Sequence, residues 1–403
     1  MIYADNSATT KMSEAAIQAM ITQMKDNWGN PSSLYAHGQR AKNALEQARH
    51  EIAAAIGADV QEILFTSGGS ESDNQAILSA AESGRNNGKK HIISSCFEHH
   101  AVLHTLEKLK QEGFAVDLLD VHENGILLPE EINAAIRPDT CLVTIMYANN
   151  EIGTIQPIRE IGAVCRVRNV VFHTDAVQAV GHIPVNVVDD NIDMLSASAH
   201  KFHGPKGVGF LYAKKDIPLL SLIEGGQQEY GKRAGTENVP GIVSMAEALK
   251  ESIQTMPENN EHLCKMRNRL IEGLRQIPHS ILNGDAVHRL PGNVNFCFKG
   301  VEGESLLYLL DQKGIQASSG SACAAGSLDP SHVLLAIGRD YESAMGALRL
   351  SIGEELTEAQ ADYLIQSVKE VTAELREFSP VWREQVSGRK GSYLRESIWQ
   401  GSL

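Results

Sequence analysis

The chain has 403 residues, 42% of them hydrophobic, enough to fill the cores of one or two globular domains and too apolar for a disordered chain. Its 36 Lys and Arg against 50 Asp and Glu give a formal net charge of −14, which on average repels phosphate backbones and anionic lipid, so neither nucleic acid nor membrane is expected as a partner. The six cysteines are far apart with no C-x-x-C pair, Met1-Ile-Tyr-Ala-Asp does not read as a signal peptide, and no long uncharged apolar stretch follows, so the expected setting is the reducing cytoplasm.

In chain order, Ala41, Ala44, Leu45, Ala48, Ile52 and Ile56 recur at three- and four-residue steps, which predicts an amphipathic helix over 40–56 stopped by Gly57. Short apolar runs follow at Ile63–Phe65, His91–Ser94, Leu142–Met146, Val170–Phe172, Met194–Ala197 and Val208–Tyr212, separated by helix-length segments or Gly-, Asn- and Pro-rich loops. That alternation predicts an α/β fold with a mainly parallel sheet covered on both faces. The loops at 66–70, 148–153, 175–178 and 198–201 come directly after strands, where ligands bind in open α/β sheets. The polar stretch Thr255-Met-Pro-Glu-Asn-Asn reads as a domain boundary, with a helix resuming over 262–276. The polar tail after Trp382 tells little about function.

Lys201 stands where a strand ends, in Ser196-Ala-Ser-Ala-His-Lys-Phe-His-Gly-Pro-Lys-Gly. A lysine held in a partly apolar site loses its proton more readily and attacks carbonyls. Taken alone it reads as an ordinary loop lysine, but Asp175, in Phe172-His-Thr-Asp-Ala-Val-Gln, supplies the carboxylate that a pyridinium cofactor needs at its ring nitrogen. Small residues in Phe65-Thr-Ser-Gly-Gly-Ser-Glu-Ser-Asp-Asn lead from a strand into a helix and expose N–H groups and hydroxyls to a phosphate, although an ordinary helix cap explains them equally well. No P-loop spacing is present, and neither His99-His100 nor His200 with His203 has the partners of a zinc site, so no metal is expected. Cys323 lies among small residues, Ala317-Ser-Ser-Gly-Ser-Ala-Cys-Ala-Ala-Gly-Ser, a setting for a mobile nucleophile, whereas Cys96, Cys141, Cys165 and Cys297 lie in or beside apolar runs and read as core.

Together with Asp5-Asn-Ser-Ala-Thr-Thr, Gly29-Asn-Pro-Ser-Ser, Glu98-His-His-Ala-Val-Leu, Asn149-Asn-Glu-Ile-Gly, Arg233-Ala-Gly-Thr-Glu-Asn, Val301-Glu-Gly-Glu-Ser and Leu348-Arg-Leu-Ser, these segments resemble the cysteine desulfurases of the nitrogen-fixation and iron–sulfur-cluster type. Those are class V aminotransferase-like, fold-type I pyridoxal-phosphate enzymes, and the resemblance covers most of the chain. It implies a large domain over 12–257 with a mostly parallel seven-stranded sheet, and a smaller α/β domain from 1–11 and 258–403 that carries the Cys323 loop, about 317–327. It further implies pyridoxal 5'-phosphate bound to Lys201 as a Schiff base, with Asp175 on the pyridine nitrogen, Gln178 on the ring hydroxyl and His99 stacked on the ring to assist proton transfer.

By the same resemblance Gly69, Ser70, Ser198 and His200 hold the phosphate, Thr236 reaches in from a second subunit of a homodimer, Asn150 contacts cofactor and substrate, and Arg349 clamps the substrate carboxylate. The implied reaction moves sulfur from L-cysteine to Cys323, giving alanine and a persulfide for a sulfur acceptor or iron–sulfur scaffold protein. Gly320 and Gly326 flank Cys323 as hinges, and Ala324-Ala325 departs from the Ser/Thr-rich residues often found after the nucleophile. A selenocysteine lyase or an aminotransferase would use Lys201 and Asp175 equally well, and Cys323 is the feature that discriminates. A sulfur-carrying scaffold without turnover is the rival from outside enzymology, which the intact set His99, Asp175, Gln178, Lys201 and Cys323 opposes.

Overall fold

A computed structural model describes residues 1–320, 329–380 and 382–383. Seven strands form the main sheet: β1 (Ile63–Thr66), β2 (His91–Ser95), β3 (Ala115–Leu119), β4 (Thr140–Thr144), β5 (Val171–Asp175), β6 (Met194–Ser198) and β7 (Gly209–Ala213), in the order β1-β7-β6-β5-β4-β2-β3. β7 runs antiparallel to β1 and β6, and every other pairing is parallel. Every residue of β1, β2, β4, β6 and β7 is buried, because helices cover both faces and leave no polar side to alternate with. β3 is the exception. It is an edge strand, mostly exposed, and Asp117 in its middle interrupts the apolar run that would have marked it in the sequence.

The 40–56 periodicity becomes a helix over Ala36–Ile56, ended by Gly57 in the left-handed conformation at φ 72°. Its Arg49 is buried and forks onto Glu229, with Nη1 and Nη2 donating at 2.8 and 2.7 Å. Nη1 also donates to the Ile63 carbonyl, and Glu229 accepts the N–H of Phe65, so one ion pair ties a helix, the start and middle of β1 and the 228–231 turn together.

A second antiparallel sheet contains β8 (Ser280–Leu282), β9 (Asn293–Phe298) and β10 (Ala347–Ser351), with β9 in the centre. Ile2, Leu263, Met266, Leu270, Phe296, Phe298, Leu348, Leu350, Leu364 and Val368 pack into its core. Ile2–Tyr3 pairs in parallel with Ile315–Gln316, which brings the N-terminus to this C-terminal unit. The polar stretch at 255–260, expected as a domain boundary, lies inside one helix running Val239–Leu274, with Pro257 in its interior. An interior proline costs about 3 kcal/mol. The helix keeps its course because its buried stripe never stops: Ile242, Met245 and Leu249 enter the large core, Met256 stays buried, and Leu263, Met266 and Leu270 enter the second.

Candidate active site

The candidate residues converge at the carboxyl ends of the central parallel strands. Asp175 ends β5, Ser198 ends β6, Lys201 ends the 3-10 turn Ala199–Lys201, and His99 caps the helix His100–Gln111 just beyond β2. Cross-strand register pairs Thr66 with Gly209 and Gly209 with Ser198, which sets the 66–70 loop beside Ser198. Gly209 permits this approach, since a Cβ there would lie 2.7 Å from Gly68 Cα.

The Lys201 Nζ donates to the carbonyl oxygens of Ser7 at 2.6 Å and Ala8 at 2.8 Å, and Gln178 Nε2 donates to the same Ser7 carbonyl at 3.0 Å. The N-terminal segment thus gathers two candidates that stand 23 residues apart in the chain. Asp175 is buried and accepts the Val177 N–H at 3.0 Å. Burial raises its carboxyl above the usual range, against the pull of His99, the Val177 N–H and Lys201. The Nδ1 of His99 accepts the Ala101 N–H at 3.2 Å, which fixes the orientation of the ring and leaves Nε2 free of that bond. Burial, then Lys201 and Lys206, push His200 down to about 4, so its imidazole is neutral at physiological pH, with Nδ1 3.2 Å from the Thr9 hydroxyl.

Gly69 and Ser70 open the 18-residue helix Gly69–Asn86, where first-turn N–H groups have no partner within the helix. A Cβ at Gly69 would lie 2.6 Å from Val177 Cγ2, so the loop can be this close to the 175–178 segment only with glycine there. Glu71, an acid at this anion-suited helix end, is held by Arg233 at 3.0 Å and by the Ser67 N–H at 2.7 Å, and these bonds overcome burial to lower its pKa.

On the other side, Arg349 in the middle of β10 is buried, its Nη2 donating to Asp5 Oδ1 at 2.8 Å and its Nη1 to the Asn150 carbonyl at 3.3 Å. Its buried Nε has no partner among the described residues. Cys323 lies outside the described residues, as does Gly326. The described chain before it meets Arg349, through backbone bonds between Ser318 and Arg349, and the chain after it meets Glu151, where the Ser331 hydroxyl donates at 2.5 Å. The five other cysteines are a poor match for the nucleophile: burial pushes the thiols of Cys141, Cys165 and Cys297 to about 11, about 12 and about 11, that of Cys96 upward, and Cys264 is half-buried. Thr236 is exposed on its own chain.

Residue reasoning did not single out Asp73, Ser7, Ala8 or Glu151. Asp73 was detectable: it stands four residues after Gly69, on the same face of a helix aimed at the site. Ser7 and Ala8 act through carbonyl groups, which every residue carries and no motif reveals. The oxygens of Asp73 and Asp175 and a ring nitrogen of His99 lie within 4.8 Å of one another. Two acids, an imidazole, a lysine amine and a glycine-lined helix end form a donor set that suits a pyridoxal 5'-phosphate: a carboxylate for the cationic ring nitrogen, an amine for the aldehyde, and N–H groups for the phosphate.

The aminotransferase class-V family model matches residues 2–364. The chain is 50% identical over 392 residues to the cysteine desulfurase IscS of Clostridium botulinum (strain Hall), covering 96% of this chain and 98% of that protein. It is 51% identical over 380 residues to the cysteine desulfurase IscS of Methanosarcina thermophila, covering 94% of each. Among solved structures, a NifS-like protein superposes with a TM-score of 0.87 at 37% identity over 92% of this chain and 99% of that one. SspA in complex with cysteine superposes with a TM-score of 0.78 at 36% identity, covering 89% of this chain and 100% of that one.

Proposed function

The chain belongs to the class-V aminotransferase family, among its cysteine desulfurases, and from that premise we propose that it moves the sulfur of L-cysteine onto its own Cys323 and releases L-alanine. Lys201 Nζ would hold pyridoxal 5'-phosphate covalently, with Asp175 at the ring nitrogen, Gln178 Nε2 at the ring hydroxyl, and Ser198, His200 and the first-turn N–H groups of Gly69 and Ser70 at the phosphate. Thr236, exposed on its own chain, would complete the phosphate site of a second subunit in a homodimer. When bound, the cofactor supplies an electron sink for the pair left at Cα as its proton departs.

The protein's own groups do the rest. Arg349 binds the carboxylate of L-cysteine, its planar guanidinium already oriented by Asp5 and the Asn150 carbonyl. His99, fixed in one orientation by the Ala101 N–H, assists proton transfer over the ring. The Cys323 thiolate attacks the substrate sulfur: an S–S bond forms, the Cβ–S bond breaks, its electron pair stays on carbon, and protonation of that carbon completes alanine. The persulfide then passes to an acceptor thiol, as on an iron–sulfur scaffold protein. No described helix is long and apolar enough to cross a membrane.

The observation that carries this reading is the convergence of Lys201, Asp175, Gln178 and His99 at neighbouring strand ends, with both described flanks of Cys323 packed against Arg349 and Glu151. Purified protein given L-cysteine and a thiol reductant is expected to release sulfide and alanine in equal amounts, and Cys323→Ala to release no sulfide. Bound cofactor without alanine formation would reject the reading.

A further inference from the structure

Beside Asp175 lies a second carboxylate to which the proposed reaction gives no role. Asp73 is 1% exposed, its Oδ1 has no hydrogen-bond partner among the described residues, and one of its oxygens is within 4.8 Å of both an Asp175 oxygen and a His99 nitrogen. The groups facing it are Asp175 and His173 from β5, Ser196 from β6, and Glu98 and His99 from the segment after β2. Ser196 hydrogen-bonds Asp73 and also meets His173 Nε2 at 3.0 Å, and His173 Nδ1 meets the Thr144 hydroxyl at 2.8 Å. His173 supplies no charge to balance Asp73, since burial pushes it down to about 3. Among the described residues no Lys or Arg forms an ion pair with Asp73.

Two carboxylates this close in a buried site do not both ionise, because their repulsion adds to the cost of desolvating each. The geometry decides which one keeps the charge. Asp175 accepts a backbone N–H and lies in the field of Lys201, whereas Asp73, whose Oδ1 has no hydrogen-bond partner among the described residues, faces the acids Asp175 and Glu98. We propose that Asp73 is a neutral carboxylic acid, a positioning residue that holds the proton of the pair and leaves Asp175 as the single negative charge facing the ring nitrogen. This rests on the reading of Asp175 as the ring-nitrogen partner. Burial and the proximity of Asp175 both raise the Asp73 pKa well above the usual range, in the same direction.

The test is infrared difference spectroscopy on the purified full-length holoprotein without L-cysteine, comparing wild type with Asp73→Asn, a neutral and nearly isosteric change. The expected result is a protonated-carboxyl carbonyl band in wild type across about pH 6–8 that is lost in Asp73→Asn, while the pH midpoint of the bound cofactor's visible absorbance stays where wild type has it. Glu98, whose pKa burial raises to about 8, is present in both proteins, so its own band cancels. A difference spectrum without that band overturns the proposal. So does a midpoint moved by about one unit, a tenfold change in proton affinity, or a band lost in Asp175→Asn but kept in Asp73→Asn. Should Asp73→Asn not fold, Asp73→Ser takes its place, since loss of the band there supports the proposal and its retention overturns it. Because no substrate is present, failure of the desulfurase reading would show as missing alanine in a separate assay and would leave the infrared result standing.

Discussion

Arg49 with Glu229 and Asp73 with Asp175 are two buried pairs of ionisable groups, built on opposite principles. In the first, opposite charges meet through two parallel hydrogen bonds, and backbone groups of β1 meet Arg49 and Glu229. In the second, two acids share a pocket with Glu98 nearby, and buried oxygens of Asp73 and Glu98 go without hydrogen-bond partners among the described residues. Matched charges join elements of the fold; mismatched ones keep a group's proton affinity far from its solution value, which is what acid–base chemistry at neutral pH requires. Folding stability and chemical readiness are therefore served by different parts of one molecule.

Substitutions sharpen this contrast. The largest effect is expected from Asp175→Asn, which should lower alanine formation by about 10²–10³-fold, the typical loss when one preorganised electrostatic group is removed. Its stability should hold or rise at neutral pH, because the folded carboxyl has a raised pKa: folding is favoured below the unfolded value and penalised as pH climbs toward the folded one, and a neutral amide escapes that penalty. Denaturation and turnover measured on the same preparation would show the two quantities parting. A large loss of stability in Asp175→Asn would break the comparison.

Arg49→Ala should do the reverse. Leaving Glu229 buried without its partner is expected to cost about 3–5 kcal/mol in urea denaturation, while cofactor binding per folded molecule is kept.

A smaller, pH-dependent effect is expected at Glu98, where burial raises the carboxyl from 4.5 to about 8 against the hydrogen bonds from Ser95 and the Met146 N–H. Below about pH 4.5 both folded and unfolded forms hold the proton, so nothing changes there. Between about 4.5 and about 8 the unfolded chain releases it and the folded one keeps it, so wild type loses stability as pH rises and levels off above that window. Thermal melts of Glu98→Gln against wild type should diverge across that interval in favour of the variant, and parallel curves would show Glu98 ionised in the fold.

Much of this site was legible before folding. Lys201 and Asp175 follow apolar strand runs, and the Gly-Gly-Ser turn opens a helix, so strand ends, a phosphate-suited turn and a lysine–acid pair could be read locally. The resemblance of ordered motifs added Gln178, His99 and Arg349. What failed to show has definite causes. In the edge strand β3, Asp117 interrupts the apolar residues, and the continuity of the helix through 255–260 was hidden because proline and asparagine punctuate most loops.

The sequence by itself determined the strand-and-helix alternation, the glycines that let the 66–70 loop approach β6, and the chemical identity of the groups at the strand ends, because these depend on residue type and short spacing. Only the tertiary structure decided that the Ser7 and Ala8 carbonyls hold Lys201, that Asp5 orients Arg349, and that Asp73 stands against Asp175. Those relations join residues as many as 344 positions apart. Whether a buried carboxylate faces a cation, a backbone N–H or another acid is fixed by which elements pack together, and that neighbour sets its charge.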